Sequence, residues 1–188
     1  MKNKSVMILG ATGGVGKELK SIFQNYHNDI KIFSYNSKSL NLNSNNSNKK
    51  LYNKIKKNNP DIIINASGVF GNNKINYDKI MNINFKSNWN IINFFITNKP
   101  KKRVKIFFIG SSSYRGGRKD YMLYSASKAA LNSLYASSVQ FFNNSKLSIH
   151  IINPKKIDTK MIRSFKNINN AIHPKYVAKK IYKILFNL

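Results

Sequence analysis

The chain has 188 residues, a length that suits one domain with a sizeable core. It contains no cysteine, which excludes disulfides and thiolate metal sites, and no two of its three histidines have the spacing of a metal-ligand pair. Its formal net charge of +27, from 33 Lys and Arg against 6 Asp and Glu, ordinarily suggests a nucleic-acid or anionic-membrane partner. Because the cations are nearly all Lys and occur in every segment, we attribute the charge mainly to an AT-rich genome and expect any binding of nucleic acid to be non-specific.

The first predicted elements are a strand and a helix joined by a glycine-rich turn. Residues 6–9 are apolar, glycines follow, and a helical pattern then continues through Phe23. Glycines let the backbone turn tightly and approach a pyrophosphate, whose charge is stabilised by free N–H groups at the start of the helix. The pattern therefore predicts a dinucleotide-binding turn, with a merely flexible turn as the alternative. The candidate binding residues are Gly10, Thr12, Gly13, Gly14, Val15 and Gly16.

Four more apolar runs follow, at residues 30–33, 62–64, 104–109 and 147–152, separated by segments of helical spacing. Runs without polar alternation suit strands that are buried on both faces. Such an alternation of strands and helices predicts an α/β fold with a doubly wound, Rossmann-type parallel sheet, helices on both faces, and the ligand at the carboxyl ends of the strands. We expect about six strands in a single domain over residues 1–188.

The most informative segment is Tyr124-Ser125-Ala126-Ser127-Lys128. A Tyr and a Lys four residues apart on a helix project from the same face. A neighbouring ammonium favours the phenolate and lowers the phenol pKa from its unperturbed value of about 10, which would give a proton donor that ionises nearer neutral pH. Taken alone, this spacing also arises by chance in Lys-rich helices.

Together with the glycine-rich turn, this segment resembles the short-chain dehydrogenase/reductase family. Four further segments match the family in the expected order, at residues 65–68, 81–86, 106–113 and 153–161. Asn84 stands where the family has its active-site Asn, and Ser111, thirteen residues before Tyr124, stands where it has its catalytic Ser. Each motif is weak by itself, but six motifs in the right order and spacing are specific.

The resemblance implies an NAD(P)(H)-dependent oxidoreductase that acts on a small carbonyl or alcohol compound. Tyr124 would donate its proton to the carbonyl oxygen as hydride arrives from the nicotinamide, and Ser111 would hold that oxygen. Lys128 would lower the Tyr124 pKa and hydrogen-bond the nicotinamide ribose, while Asn84 would fix a water beside Lys128. Besides the turn, the implied cofactor-binding residues are Asn65, Ala66, Ser67, Gly68, Tyr124, Lys128, Pro154, Ile157 and Thr159.

The end of the second strand bears on the choice of cofactor. A carboxylate there hydrogen-bonds the ribose hydroxyls of NAD and repels the extra phosphate of NADP. Residues 33–38 contain no acid, and Ser37 and Lys38 are suited to a 2′-phosphate. We therefore expect NADP(H) to be favoured over NAD(H).

Three departures from the family pattern qualify the resemblance. Leu9 replaces the Thr that usually opens the glycine-rich motif, and Lys155 replaces the Gly that usually follows Pro154, which places a cation near the expected nicotinamide pocket. The sequence also ends after the predicted helix at residues 174–186, so we expect a sheet that is C-terminally truncated relative to the family. Two alternatives therefore stay open: a dinucleotide-binding module with little or no catalysis, and a basic polyanion-binding protein on the same fold.

The remaining expectations concern partners and location. Small residues on the helix at 121–142 suggest a close contact with another helix, and the family commonly uses this helix for dimers, so we expect a homodimer. No apolar stretch approaches the length that spans a bilayer, and we expect a soluble cytoplasmic protein. The segment at 160–173, which contains Phe165 and Ile168, is expected to cover the substrate, whose identity stays open among small carbonyl compounds, acyl intermediates and sugar derivatives.

Overall fold

The structure is a computed structural model that describes residues 4–26, 29–163 and 169–186. His27, Phe165 and Ile168 lie outside the described residues. The strands are β1 (Ser5–Leu9), β2 (Lys31–Tyr35), β3 (Ile62–Asn65), β4 (Val104–Ile109) and β5 (Leu147–Ile152). The helices are α1 (Gly14–Tyr26), α2 (Ser47–Asn58), α3 (Tyr77–Met81), α4 (Ser87–Thr97), α5 (Met122–Phe141), α6 (Lys160–Arg163) and α7 (Pro174–Phe186). A π-helical turn, Asn82–Lys86, joins α3 to α4, and a 3-10 helix, Ser112–Arg115, precedes α5.

The strands form one parallel sheet in the order β2-β1-β3-β4-β5, which confirms the predicted Rossmann-type fold class. The described residues contribute five strands to it rather than about six. Leu40 and Leu42, the apolar pair between β2 and α2, are buried in the core but form turns. The Asn36 side chain accepts hydrogen bonds from the backbone N–H groups of Lys38 and Ser39, and such a local bond competes with strand pairing.

Helices cover both faces of the sheet, as the apolar runs predicted. On one face Met7, Ile63 and Phe108 pack with residues of α2, α4 and α5. On the other face Ile8 and Phe107 pack with residues of α1 and α7. Successive residues of each central strand therefore enter opposite halves of the core, and these strands have no polar face.

The strand order reverses next to β1, because β2 lies on one side of it and β3 on the other. In open parallel sheets the loops at such a reversal diverge and leave a crevice beyond the carboxyl ends of the strands. The glycine-rich turn after β1 and the segment after β3 meet there, and the Ala66 N–H donates to the Leu9 carbonyl at 2.9 Å. None of the helices in the described part of the chain is long and apolar enough to cross a membrane.

Candidate active site

A cavity of about 1310 Å³ opens at the carboxyl ends of the strands. Its wall comes from the loops that follow all five strands, together with the start of α5. This volume exceeds the roughly 300–1,000 Å³ of a pocket for one drug-sized ligand, so the cavity has room for a dinucleotide and a second compound. Most of the predicted site residues line it: Gly10, Thr12, Gly13, Gly14, Val15, Ser37, Ala66, Ser67, Gly68, Ser111, Tyr124, Lys128, Pro154, Ile157 and Thr159.

The glycine-rich turn forms one end of the cavity. Gly10 has φ +73°, and a Cβ there would stand 2.7 Å from the Ser67 backbone nitrogen, so only glycine fits without strain. Gly16 stands behind the wall, where a Cβ would collide with the Gly10 carbonyl. The first-turn N–H groups of α1 have no acceptor within their own helix and are directed outward from its start. The turn therefore fits a pyrophosphate, both in its open backbone and in the sign of its partial charge.

The loop after β5 lies against this turn. A Cβ on Gly14 would stand 2.6 Å from Cγ2 of Thr159 and 3.2 Å from Cγ of Pro174. A single parallel bridge between Ile157 and Ile172 fixes the loop, and the Asp158 N–H donates to the Ile172 carbonyl at 2.8 Å. Gly14 is therefore needed for close approach of two loops, in addition to any role toward a ligand.

Lys38 and Asn65 are described residues that stand outside the cavity wall. Tyr35, Asn36 and Ser37 line the wall at the end of β2, whereas the Lys38 side chain is exposed beside them. The structure thus brings Ser37, but not Lys38, to the cavity itself.

Asn65 is 1% exposed and holds the end of β3 against α4. Its amide nitrogen donates to Ser87 Oγ at 2.9 Å and to Asn88 Oδ1 at 2.8 Å. Its amide oxygen accepts from the Ser67 N–H at 3.1 Å. The Asn65 amide is therefore engaged within the protein, where it fixes the segment Ala66, Ser67 and Gly68 that lines the cavity.

Tyr124, Ser111 and Lys128 come together at the middle of the cavity. Lys128 is only 4% exposed, its Nζ donates to the Ile109 carbonyl at 3.0 Å, and it lies 5.8 Å from the centroid of the Tyr124 ring. Burial lowers the pKa of Lys128 to about 8. Burial also raises the pKa of Tyr124, while a side-chain hydrogen bond with Ser111 acts in the opposite direction. The pKa of Tyr124 in the free protein is therefore shifted in the direction opposite to the one expected from an adjacent ammonium.

Ser111 is positioned by two asparagines that sequence reasoning did not identify. Its backbone N–H donates to Asn153 Oδ1 at 3.1 Å, and the Asn153 amide nitrogen in turn donates to Asn132 Oδ1 at 3.0 Å. The Ser111 and Ser113 hydroxyls lie 2.8 Å apart. The end of β4 is thus tied to Asn153, which directly follows β5, and through it to Asn132 of α5. Residues so distant in sequence give no local signal, and only the Asn-Pro pair at 153–154 marked this region.

Asn84 is fully buried in the π-helical turn and does not itself line the cavity. Its side chain pairs with both backbone groups of Val69 at 2.9 Å and donates to Ser127 Oγ at 3.1 Å. Gly68 lies beside it: a Cβ there would stand 3.7 Å from Asn84 Oδ1 and 4.0 Å from Lys128 Nζ. The structure therefore places Asn84 close to Lys128, with its amide fixing the segment after β3. Single-turn π-helices are frequent at functional sites.

An aromatic wall flanks the phenol and was also missed. Phe70 contacts Tyr124 edge to face at 4.8 Å and Tyr121 at 4.6 Å between ring centroids. On the opposite loop Lys155 is exposed and lines the cavity, as expected from its position after Pro154. Across residues 4–26, 29–163 and 169–186, no three His, Asp or Glu side chains are grouped so as to hold a metal ion.

Solved structures of similar fold include a short chain dehydrogenase from Burkholderia cenocepacia in complex with NADP, which is 15% identical. The match covers 98% of this chain and 84% of that one, with a TM-score of 0.83. A 3-alpha-hydroxysteroid dehydrogenase from Pseudomonas, complexed with NADH, is 13% identical over 97% of this chain and 89% of that chain, with a TM-score of 0.82. At these identities the structures show a shared fold.

A curated relative is the bifunctional ribulose 5-phosphate reductase/CDP-ribitol pyrophosphorylase of Haemophilus influenzae. It is 28% identical over an alignment 173 residues long, and the match covers 86% of this chain and 35% of the relative. The chain thus spans about a third of that protein's length. The sequence model of the short chain dehydrogenase family matches residues 33–169, well over half of the chain. The chain therefore belongs to the short-chain dehydrogenase/reductase family.

Proposed function

We propose that this protein is an NAD(P)(H)-dependent oxidoreductase that interconverts a small carbonyl compound and its alcohol. The observation that carries the proposal is the meeting of Tyr124, Ser111 and Lys128 in one cavity whose far end is the glycine-rich turn. Membership of the family supports the reaction class. Residues 1–188 would form the single domain that carries it out.

The side chains at the middle of the cavity suit proton transfer to a carbonyl oxygen. A bound nicotinamide dinucleotide supplies the hydride. A phenol is protonated at neutral pH, and burial shifts the pKa of Tyr124 further upward, so Tyr124 can donate its proton to the oxygen of the substrate. Ser111 hydrogen-bonds the phenol and can hold the same oxygen. Below pH 8 the Lys128 ammonium adds positive charge where the alkoxide develops.

For the cofactor we propose NADP(H) in preference to NAD(H). No carboxylate follows β2, and the Ser37 hydroxyl lines the cavity wall there with the exposed Lys38 beside it. A carboxylate at this position would repel a 2′-phosphate, whereas a hydroxyl and an ammonium would attract it. One solved relative of similar fold is a complex with NADP.

For the substrate we propose a small sugar derivative within the class of carbonyl compounds. The curated relative is named as a ribulose 5-phosphate reductase, which makes such a compound the first to assay. We also propose a homodimer that uses α4 and α5, where Trp89 and Phe141 are 40% and 66% exposed. The cytoplasmic location stays a prediction from the sequence.

The test is the substitution Tyr124→Phe, with Tyr135→Phe on the same helix as the matched control. Removal of the Tyr124 hydroxyl keeps the ring packed against Phe70, so the affinity for NADPH should change by no more than about twofold while turnover falls by about 10²–10⁴. Tyr135 does not line the cavity, and its variant should keep the original turnover. NADPH oxidation with a panel of carbonyl compounds gives turnover, and fluorescence titration gives affinity.

Two results would count against the proposal. Full turnover by Tyr124→Phe would remove the assigned proton donor. Binding of NADPH by the unmodified protein without turnover of any carbonyl compound would favour the dinucleotide-binding module instead.

A further inference from the structure

The exposed cations of the cavity wall are unevenly distributed. In the half formed by the loops after β1, β2 and β3, Lys17 is the one cation among the described residues that line the wall. The half formed by the loops after β4 and β5 has six exposed cations. These are Arg118, Lys119, Lys155, Lys156, Lys160 and Arg163. Drift in genome composition would add cations to both halves of the cavity wall alike. We therefore explain the excess of cations in one half by the charge of the compound that binds there.

The carboxylates in that half do not balance these cations. Asp158 is engaged by Arg163, whose Nε and Nη2 donate to its two oxygens at 2.7 and 2.9 Å. Asp120 is the other acid among the described residues of that half of the wall, and Arg118 and Lys119 form no ion pair within the part of the chain that the structure describes. A net positive field therefore surrounds the place where the second compound would lie, beside Tyr124 and Ser111.

The turn that carries Arg118 and Lys119 is fixed by its backbone. The Asn73 side chain donates to the Lys119 carbonyl at 2.7 Å and accepts from the Met122 N–H at 2.9 Å. The Tyr121 N–H donates to the Arg118 carbonyl at 2.9 Å. The backbone of Arg118 is thus held in the turn just before α5, six residues before Tyr124 in the sequence.

The opposing turn, at residues 154–156, is fixed as well. The Ser112 N–H donates to the Pro154 carbonyl at 2.9 Å, and the Ile172 N–H donates to the Lys156 carbonyl at 3.0 Å. Lys155 therefore projects from a second anchored loop on the same cavity. Arg118 and Lys155 thus come from two anchored loops that line the same cavity. A guanidinium matches a phosphate in a bidentate geometry, and an ammonium adds a second positive charge for an anion of more than one charge.

We infer that the second compound carries a phosphate group, which Arg118 and Lys155 bind while its carbonyl lies between Ser111 and Tyr124. The inference rests on the proposed function and adds to it the substrate class: short hydroxy-carbonyl compounds with a terminal phosphate. Lys155, which departs from the family pattern, is then a specificity-determining residue.

The test compares ribulose 5-phosphate with ribulose, which has the same carbonyl but no phosphate. Both are titrated calorimetrically into protein saturated with NADP⁺, which has no hydride to transfer, in about 0.15 M salt to screen the general surface charge. Ribulose 5-phosphate should bind at least tenfold more tightly than ribulose. Arg118→Met and Lys155→Met should each weaken its binding by roughly 10–100-fold, the usual range for a hydrogen bond to a charged group, and should leave the affinity for ribulose unchanged.

Arg103→Met is the matched control, because Arg103 is an exposed arginine at the amino end of β4, whereas the cavity opens at the carboxyl ends of the strands. It should leave both affinities unchanged. Equal binding of the two sugars, or a loss with Arg118→Met no larger than that with Arg103→Met, would overturn the inference. A lack of turnover with every carbonyl compound would contradict only the proposed function, since the titration still measures the phosphate site.

Discussion

Two regions of the site, a buried polar floor and an exposed charged rim, differ in burial and therefore in what they cost the stability of the fold. We call the floor the buried polar side chains Asn65, Asn84, Ser127 and Lys128, each of which bonds to groups on other elements or to backbone. The rim is the set of exposed cations defined above. Burial makes the floor rigid and specific at a cost in stability, because buried polar groups must keep their partners. The rim carries charge at little cost, so changes there should affect ligand choice without affecting folding.

The largest expected effect is that of Lys128→Met, which removes the charge of the floor. Burial lowers the Lys128 pKa from 10.5 to about 8, so the folded protein binds this proton less tightly than the unfolded chain does. The penalty, about 3 kcal/mol, is fully present below pH 8 and disappears as pH rises from about 8 to 10.5. The variant should therefore unfold at higher urea concentration at pH 7 but lose turnover by at least about 100-fold.

The exposed Lys86 supplies the control for that comparison, since Lys86→Met removes one lysine from the surface. The difference in unfolding free energy between the unmodified protein and Lys128→Met should shrink as pH rises toward 10.5, whereas Lys86→Met should show no such trend. A Lys128→Met protein that is less stable than the original at pH 7 would contradict the description of the floor.

Asn84→Ala should give the next largest effect. It leaves the Val69 N–H and carbonyl without their buried partner and takes a donor from Ser127, so we expect a loss of about 2–4 kcal/mol in unfolding free energy. Asn143→Ala, at an exposed position after α5, is the control and should change little. Urea unfolding measures both. A loss below about 0.5 kcal/mol for Asn84→Ala would mean that the floor relaxes around missing bonds.

The smallest effect is expected from Lys38→Glu, an exposed change at the end of β2. It should leave the melting temperature unchanged and alter the ratio of NADPH to NADH affinity by about tenfold in favour of NADH, through repulsion of the 2′-phosphate. Lys179→Glu on α7 makes the same charge change away from the cavity. Equal affinities of the unmodified protein for the two cofactors would show that this part of the surface does not select between them.

The sheet was largely predictable because its signal is local. The apolar run at 104–109 coincides with β4, that at 147–152 with β5, and the other three lie within two residues of their strands. Tyr124 and Lys128 line the same cavity, since helical spacing puts positions i and i+4 on one face. The residues that the structure describes form no sixth strand. Leu40 and Leu42 lie in turns, next to a segment where the Asn36 side chain bonds to nearby backbone N–H groups.

The floor could not be predicted, because its bonds join residues far apart in sequence. The Ser111 backbone depends on Asn153, and Asn84 reaches Ser127 across 43 residues, with no periodicity to mark either pair. The direction of the Tyr124 pKa was wrong for a related reason. The sequence shows that an ammonium is near the phenol, but not how deeply both groups are buried, and burial dominates here.

The contact between Gly14 and Thr159 joins the two ends of the cavity, because each residue lines it on its own side. A dinucleotide that orders the glycine-rich turn also orders Thr159, which lies against it. The second compound then binds to a loop that is already ordered and bears less of that entropic cost. We therefore expect the two ligands to bind cooperatively, which titration of the second compound with and without NADP⁺ measures. By thermodynamic linkage the effect is reciprocal, so the dinucleotide and the second compound raise each other's affinity for the protein by the same factor.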